Sequence, residues 1–291
     1  MEIGGVTIPL LTAALGAAVL ICGLFAAAFA PRGGRYRMLP GWAFSWLLFG
    51  LVLLALTYLP RSYSFPLLGL LMFVSLRDYY FVAPVRPRDR YVILASYLAI
   101  PVALITAARQ DADTFLATIP ITLFLVIPAF LAVGRTEAGL LDSVGRSLLG
   151  VVFFVFCTAH LALFVGKSQG LLELFGVLVL AADLPQRIGG PYSPGRPVGR
   201  TVLGLFIGLI AATGLGYVLG PEAGLSDDDG LRAGFFVWLA VAVGASVSVA
   251  VARDLDLKAT VGGLSRGAFL DRMVPAVYAA PMMFHYIDHF T

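Results

Sequence analysis

Long apolar segments recur along almost the whole chain, and this pattern constrains its fold more than any other feature. A segment of about 20 apolar residues crosses a bilayer as a helix, because a helix satisfies its own backbone hydrogen bonds in lipid. Ten segments are long enough, or nearly so: 8–30, 41–59, 64–82, 91–108, 115–133, 148–165, 170–182, 202–219, 233–252 and 273–287. The sequence therefore predicts an all-α, polytopic membrane protein with ten transmembrane helices.

The composition agrees with a lipid environment. Of the 291 residues, 59% are hydrophobic and 13% are charged, which is far more apolar than a water-soluble domain needs. Cys22 and Cys157 both lie inside apolar segments without metal-ligand spacing, so we interpret them as small hydrophobic residues. The chain has no basic residue before Arg32, so the first apolar segment lacks the basic region of a signal peptide and is expected to remain.

The distribution of basic residues predicts an orientation. Lys and Arg collect in the cytoplasmic loops of membrane proteins. The odd-numbered connections between the predicted helices hold 16 of the 20 Lys and Arg residues, and the even-numbered connections hold Arg61, Arg109, Lys167 and Arg232. We therefore expect a bacterial inner-membrane protein with both termini outside. The connection with Asp227, Asp228 and Asp229 is expected to be an outside loop.

Two of the predicted cytoplasmic loops combine charge with Gly and Pro. The loop at 183–200 reads DLPQRIGGPYSPGRPVGR, and its glycines allow backbone N–H groups to approach an anion closely. The same composition also fits a stiff connector whose arginines only follow the positive-inside rule. The second loop is 253–272. We expect one membrane domain, with residues 1–166 as a scaffold and residues 167–291 carrying the candidate site.

The second loop and its neighbours resemble phosphatidate cytidylyltransferases, the CDP-diacylglycerol synthases. The string GAFLDRM begins at Gly267, with Lys258 upstream and a short apolar helix downstream. In the first loop, an Asp at a helix end and an SP-x-[KR] segment follow the order of that family, at Asp183, Ser193, Pro194, Gly195 and Arg196. LRDYYFV from Leu76 is similar to an acidic-aromatic helix end of the family.

The resemblance implies transfer of CMP from CTP to phosphatidate or a related lipid phosphate, with Mg²⁺ as cofactor. Separately from the resemblance, a homodimer is one state that the sequence allows. The resemblance implies catalytic roles for Asp271, Lys258 and Arg272. The substrate-binding positions that it implies are Asp183, Ser193, Arg196, Arg253 and Arg266. Its metal ligands would come from Asp271, Asp183, Asp254 and Asp256. Nucleic-acid binding is not expected, because the net charge is only +3 and the basic residues are scattered.

The chain departs from the family at several positions: Ala245, Ala259 and Val274 stand where the family has Asp, Arg266 stands in place of a His, and Ala268 stands in place of a Gly. A catalytically degenerate homologue that binds lipid or a partner is therefore one alternative function. A lipid-alcohol kinase is a second alternative, since it needs the same phosphate site. A transporter is a third, and helix number alone favours it.

Ionisable residues inside apolar segments are functional candidates, because placing a charge in hydrocarbon costs at least about 2.5 kcal/mol. We expect His160 to be neutral and bonded to a backbone carbonyl. Glu173 is expected near the outer interface, where it snorkels or faces water. His285, Asp288 and His289 are interpreted as interfacial anchors rather than metal ligands. Asp78 is expected to pair with the adjacent Arg77.

Overall fold

A computed structural model describes residues 2–3, 6–7, 10–29, 39–132, 139–188, 202–255 and 268–291. These residues are almost entirely helical. At the N-terminus, a two-stranded hairpin pairs β1 (Glu2–Ile3) with β2 (Val6–Thr7). The helices of the described ranges are α1 (Leu10–Phe29), α2 (Leu39–Tyr58), α3 (Arg61–Val82), α4 (Tyr91–Ala108), α5 (Ala112–Pro120), α6 (Ile127–Ala132), α7 (Leu140–Val151), α8 (Thr158–Lys167), α9 (Gln169–Ile188), α10 (Val202–Leu219), α11 (Asp227–Asp254) and α12 (Ala268–Phe290).

Two helix pairs are continuous through π-helical turns. The segment Ile121–Val126 joins α5 to α6, and Val152–Cys157 joins α7 to α8. A π turn inserts one extra residue into a helical turn and is often found at functional positions. With these joints counted, helices lie over each of the ten apolar segments that the sequence predicts.

Six helical segments of the described residues are long and apolar enough to cross a membrane: Arg61–Val82, Tyr91–Ala108, Ala112–Ala132, Leu140–Lys167, Val202–Leu219 and Asp227–Asp254. Two shorter apolar stretches, Leu10–Leu24 and Ala43–Tyr58, lie within α1 and α2. These helices are those of an all-α membrane protein. Of the six segments, Leu140–Lys167 is the most buried within the bundle.

Helices that follow one another in the chain and pack together run antiparallel. In α10 and α11, Ala212 lies against Gly234 and Gly216 lies against Gly230, so contacts follow opposite chain directions. The same opposite order holds for α1 with α2, for α9 with α10 and for α11 with α12. One end of the bundle thus collects the C-terminal ends of α3, α9 and α11 and the N-terminal ends of α4, α7, α10 and α12. We call it the Arg-rich end, because the odd-numbered connections of the sequence leave from it.

Glycines bring α10 and α11 into backbone contact. A Cβ added to Gly230 would lie 2.2 Å from the carbonyl oxygen of Gly216, and one added to Gly234 would lie 2.3 Å from that of Ala212. Small residues let membrane helices approach closely, where van der Waals packing and hydrogen bonds drive association. Side chains larger than hydrogen do not fit at these two positions.

Helix α9 lies at the centre of the C-terminal half. Every residue from Leu171 to Leu180 is buried, and the helix packs against α1, α2, α10 and α11. It continues to Ile188, so the sequence prediction that a loop begins at Asp183 is wrong. The helix extends because Asp183 is buried and pairs with Arg187 one turn later, despite Pro185 within that turn.

The acidic run at 227–229 is helical and not a loop, which also corrects the sequence prediction. Ser226 caps α11: its Oγ accepts a hydrogen bond from the backbone N–H of Asp229 at 3.1 Å and donates to Asp229 Oδ2 at 2.6 Å. All three aspartates occupy the first turn of α11. Negative charge is favourable there, because the N-terminus of a helix carries a partial positive charge.

Candidate functional site

The Arg-rich end brings together the helix ends that carry the predicted site. Asp183 lies near the C-terminal end of α9, Arg253 and Asp254 end α11, and Asp271 and Arg272 are the fourth and fifth residues of α12. The side chains of Asp271 and Arg272 lie outside the described part of the chain. Ser193, Arg196, Asp256, Lys258 and Arg266 lie entirely outside the described residues.

Asp183 is the best-defined member of this group. Its side chain is fully buried, and its Oδ2 accepts a hydrogen bond from Trp46 Nε1 at 3.0 Å. Arg187 Nε donates to the same oxygen at 2.7 Å, and the Arg187 side chain is only 9% exposed. A buried carboxylate is stable only when it is paired and hydrogen-bonded. Asp183 therefore ties α9 to α2 and fixes the guanidinium of Arg187 at this end.

Arg253 and Asp254 have a different environment. Both side chains are exposed at the last turn of α11. Exposed, adjacent charges of opposite sign interact weakly in water and remain available to a charged ligand. The structure therefore places Asp183 and Asp254 in contrasting settings, one neutralised inside the bundle and one open to solvent.

The seam between α11 and α12 is tightly packed at positions where the family resemblance expects acidic residues. A Cβ added to Gly244 would lie 2.7 Å from Tyr278 Cβ and 3.2 Å from Pro275 Cα. Ala245 is 2% exposed and Val274 is fully buried. A carboxylate at either position would have to displace packed side chains. These apolar residues hold the two helices together instead of opening a polar cleft.

Asp89 is a second buried carboxylate at the Arg-rich end, and the sequence did not predict its burial. Asp89 is 2% exposed and accepts a hydrogen bond from Ser143 Oγ at 2.5 Å, which joins the α3–α4 connection to α7. One turn deeper, the hydroxyls of Tyr80 and Ser96 lie 2.6 Å apart. Asp89 stands between two arginines in the chain, so its sequence suggests a solvated loop and gives no signal of burial.

Glu173 does not snorkel or face water, so that expectation is wrong. Its side chain is 3% exposed, near the opposite end of α9. Its Oε1 accepts hydrogen bonds from Thr12 Oγ1 at 2.8 Å and from Tyr58 OH at 3.3 Å. The two hydroxyls come from α1 and α2, which enclose the carboxylate. Glu173 thus joins three helices through hydrogen bonds.

The histidines gather between α8 and α12. His160 Nδ1 lies 2.8 Å from the carbonyl oxygen of Phe156, as the sequence predicts for a neutral, structural histidine. Its Nε2 lies 3.3 Å from Nε2 of His285. His285 is therefore a partner of His160 and more than an interfacial anchor. Asp288 is held by Lys167, and His289 Nδ1 lies 3.1 Å from the carbonyl oxygen of His285.

The described residues do not form a metal centre: they contain no group of three or more His, Cys, Asp or Glu side chains that could hold an ion. Asp183, one of the expected ligands, is already neutralised by Arg187. Of the metal ligands that the resemblance implies, Asp254 is exposed at the end of α11, and the side chains of Asp256 and Asp271 lie outside the described residues.

Comparison with known proteins leaves the chain without an assigned family. No family model matches it, and no curated protein matches it significantly.

Proposed function

We propose that this protein transfers CMP from CTP to phosphatidate or a related lipid phosphate at the Arg-rich end of α9–α12. The supporting observation is that the two motif-bearing regions, which are distant in sequence, belong to helix ends that meet at one end of the bundle. Arg187, Arg253 and Arg272 belong to those helix ends.

The membrane arrangement that goes with this proposal has ten spans, both termini outside and the Arg-rich end in the cytoplasm. The charge distribution supports it, since 16 of 20 Lys and Arg residues belong to the odd-numbered connections. CTP and the headgroups of the inner leaflet both reach a cytoplasmic end of the bundle. A lipid phosphate enters laterally from the leaflet, and the nucleotide enters from water.

The chemistry requires charge neutralisation and positioning more than covalent catalysis. An oxygen of the lipid phosphate attacks the α-phosphorus of CTP, the bond to the β-phosphate breaks, and pyrophosphate leaves. Arg and Lys side chains neutralise the triphosphate through charge-assisted hydrogen bonds. The free N–H groups at the start of α12 favour an anion beside Asp271. We assign Lys258 and Arg272 to the phosphates, with Ser193, Arg196 and Arg266 in the nucleotide-binding loops.

The direct test is product analysis with the purified protein. Labelled CTP, phosphatidate and Mg²⁺ should yield CDP-diacylglycerol and pyrophosphate, and Asp271→Asn should remove turnover while the protein stays folded. Asp142→Asn is the matched control, because Asp142 is a half-exposed carboxylate at the same end that pairs with Arg146 at 3.0 Å. Full turnover by Asp271→Asn would reject the role of Asp271. Release of CDP with phosphorylation of a lipid alcohol would instead identify a kinase.

The second candidate is a degenerate homologue that binds the lipid phosphate without turnover. The packed seam around Gly244 favours it, because Ala245 and Val274 stand where the family has carboxylates and both are buried in apolar contacts. Equilibrium binding separates the two functions. A protein that binds phosphatidate but forms no CDP-lipid with CTP and Mg²⁺ would be the inert homologue. CTP binding without any lipid preference would argue against both.

A further inference from the structure

An apolar groove lies between α10, α11 and α12, at the end of the bundle opposite the Arg-rich end. Its volume is about 310 Å³, and it is lined by Leu231, Phe235 and Phe236 of α11, by Tyr286 and Phe290 of α12, and by Thr213 of α10. Phe290 is 74% exposed and Phe235 is 40% exposed, so the groove opens outward. In a bilayer this surface faces acyl chains.

The rim of the groove carries one cation beside an acidic run. Arg232 lies on the rim with its side chain 61% exposed, and its NH1 is 3.7 Å from Asp229 Oδ1. That carboxylate is already engaged, since Asp229 accepts hydrogen bonds from Tyr286 OH at 3.0 Å and from Ser226 Oγ. Arg232 also interacts with the Tyr286 hydroxyl. A guanidinium has five N–H donors, and the exposed side chain keeps enough of them free to bind a phosphate.

Asp227 and Asp228 add two exposed carboxylates to the same turn of α11. Within the described residues, neither has a basic nitrogen within 4.0 Å, although Asp228 interacts electrostatically with Arg232. The rim therefore carries more negative than positive charge, which disfavours a lipid whose headgroup is only anionic. A headgroup with a phosphate and a primary ammonium group can bind both the guanidinium and the carboxylates of the rim. A quaternary ammonium has no N–H to donate to a carboxylate.

We propose that this groove binds phosphatidylethanolamine from the adjacent leaflet. An acyl chain lies over Phe235 and Phe236, the phosphate binds Arg232, and the ammonium group donates to Asp227 or Asp228. Arg suits the phosphate because its planar fork donates two parallel hydrogen bonds. The site is independent of the proposed nucleotidyl transfer, because it lies at the opposite end of α10–α12.

Native mass spectrometry of the purified full-length protein tests this site. The protein is titrated with phosphatidylethanolamine, phosphatidylcholine and phosphatidylglycerol of identical acyl chains. Phosphatidylethanolamine should bind most tightly, and Arg232→Gln should weaken it by about 10-fold, as expected for a lost charge-assisted hydrogen bond. Arg109→Gln is the control, since Arg109 follows α4 at the same end of the bundle and does not line the groove.

Asp228→Asn separates headgroup recognition from any loss of folding. It removes one exposed carboxylate and should reduce the preference for phosphatidylethanolamine over phosphatidylcholine, while acyl-chain binding persists. Free phosphoethanolamine should bind far more weakly than the lipid, because the groove contributes apolar contact. Equal binding of the three lipids, or an equal loss with Arg109→Gln and Arg232→Gln, would overturn the site.

Discussion

Trp46 donates its indole N–H to Asp183 Oδ2 over 3.0 Å, so a residue of α2 holds the buried carboxylate that also pairs with Arg187 of α9. This contact joins the N-terminal scaffold to the C-terminal helices beside the candidate site. The two residues are 137 positions apart, and both lie inside the bundle.

We expect Asp183→Asn to destabilise the protein strongly. It removes the carboxylate that pairs with the buried guanidinium of Arg187, and breaking a buried ion pair typically costs about 3–5 kcal/mol. Asp142→Asn removes a solvent-exposed carboxylate and should cost about 1 kcal/mol or less. Thermal unfolding in detergent measures both variants, with a thiol-reactive dye reporting exposure of the buried Cys22 and Cys157. Equal midpoints for the two variants would show that the Asp183 pair is not structural.

A second prediction about stability concerns the close contact between α10 and α11. Gly230→Ala places a methyl group 2.2 Å from the Gly216 carbonyl oxygen, so the helices must separate, and overpacking of this kind typically costs about 1–3 kcal/mol. Gly214→Ala on α10, the helix of Gly216, meets nothing within 4 Å and should stabilise by up to about 1 kcal/mol through helix propensity. The same unfolding measurement compares them. Loss of stability in both would point to backbone effects unrelated to the contact between the two helices.

The hydrogen bonds of His160 and His285 predict one tautomer for each imidazole ring. His160 Nδ1 must carry a proton to donate to the Phe156 carbonyl, so neutral His160 accepts at Nε2 from Nε2–H of His285. Nitrogen-15 chemical shifts of the imidazole rings should therefore show protonated Nδ1 in His160 and protonated Nε2 in His285. The reverse assignment would contradict this hydrogen bond.

Replacing His285 tests the same pair through stability. His285→Phe leaves the lone pair of His160 buried without a donor, at a cost of about 1–3 kcal/mol. His289→Phe is the control, because the His289 side chain is 60% exposed. We expect the unfolding midpoint to fall clearly in the first variant and to change little in the second.

Cysteine labelling tests the orientation of the bundle. Pro87→Cys lies at the Arg-rich end and Glu222→Cys at the opposite end, and both positions are exposed. Only Glu222→Cys should react with an impermeant maleimide added outside intact cells, whereas Pro87→Cys should react in inverted membrane vesicles. Outside labelling of Pro87→Cys would reverse the orientation and remove the proposed access of CTP to its site.

The sequence by itself determined where the helices lie. Apolar length predicts them because, in lipid, a backbone must form its hydrogen bonds locally, and this requirement does not depend on distant residues. It also determined the alternation of the basic residues, which agrees with the antiparallel order of the bundle.

Only the tertiary structure decided which charges are buried. Glu173 and Thr12 are 161 positions apart, His160 and His285 are 125 apart, and no local pattern marks either pair. The predicted end of α9 was wrong for the same reason. Trp46 and Arg187 donate hydrogen bonds to Asp183 inside the bundle, so the helix continues past this carboxylate. Burial of a polar side chain depends on partners that folding brings together, and a sequence window around one residue does not contain them.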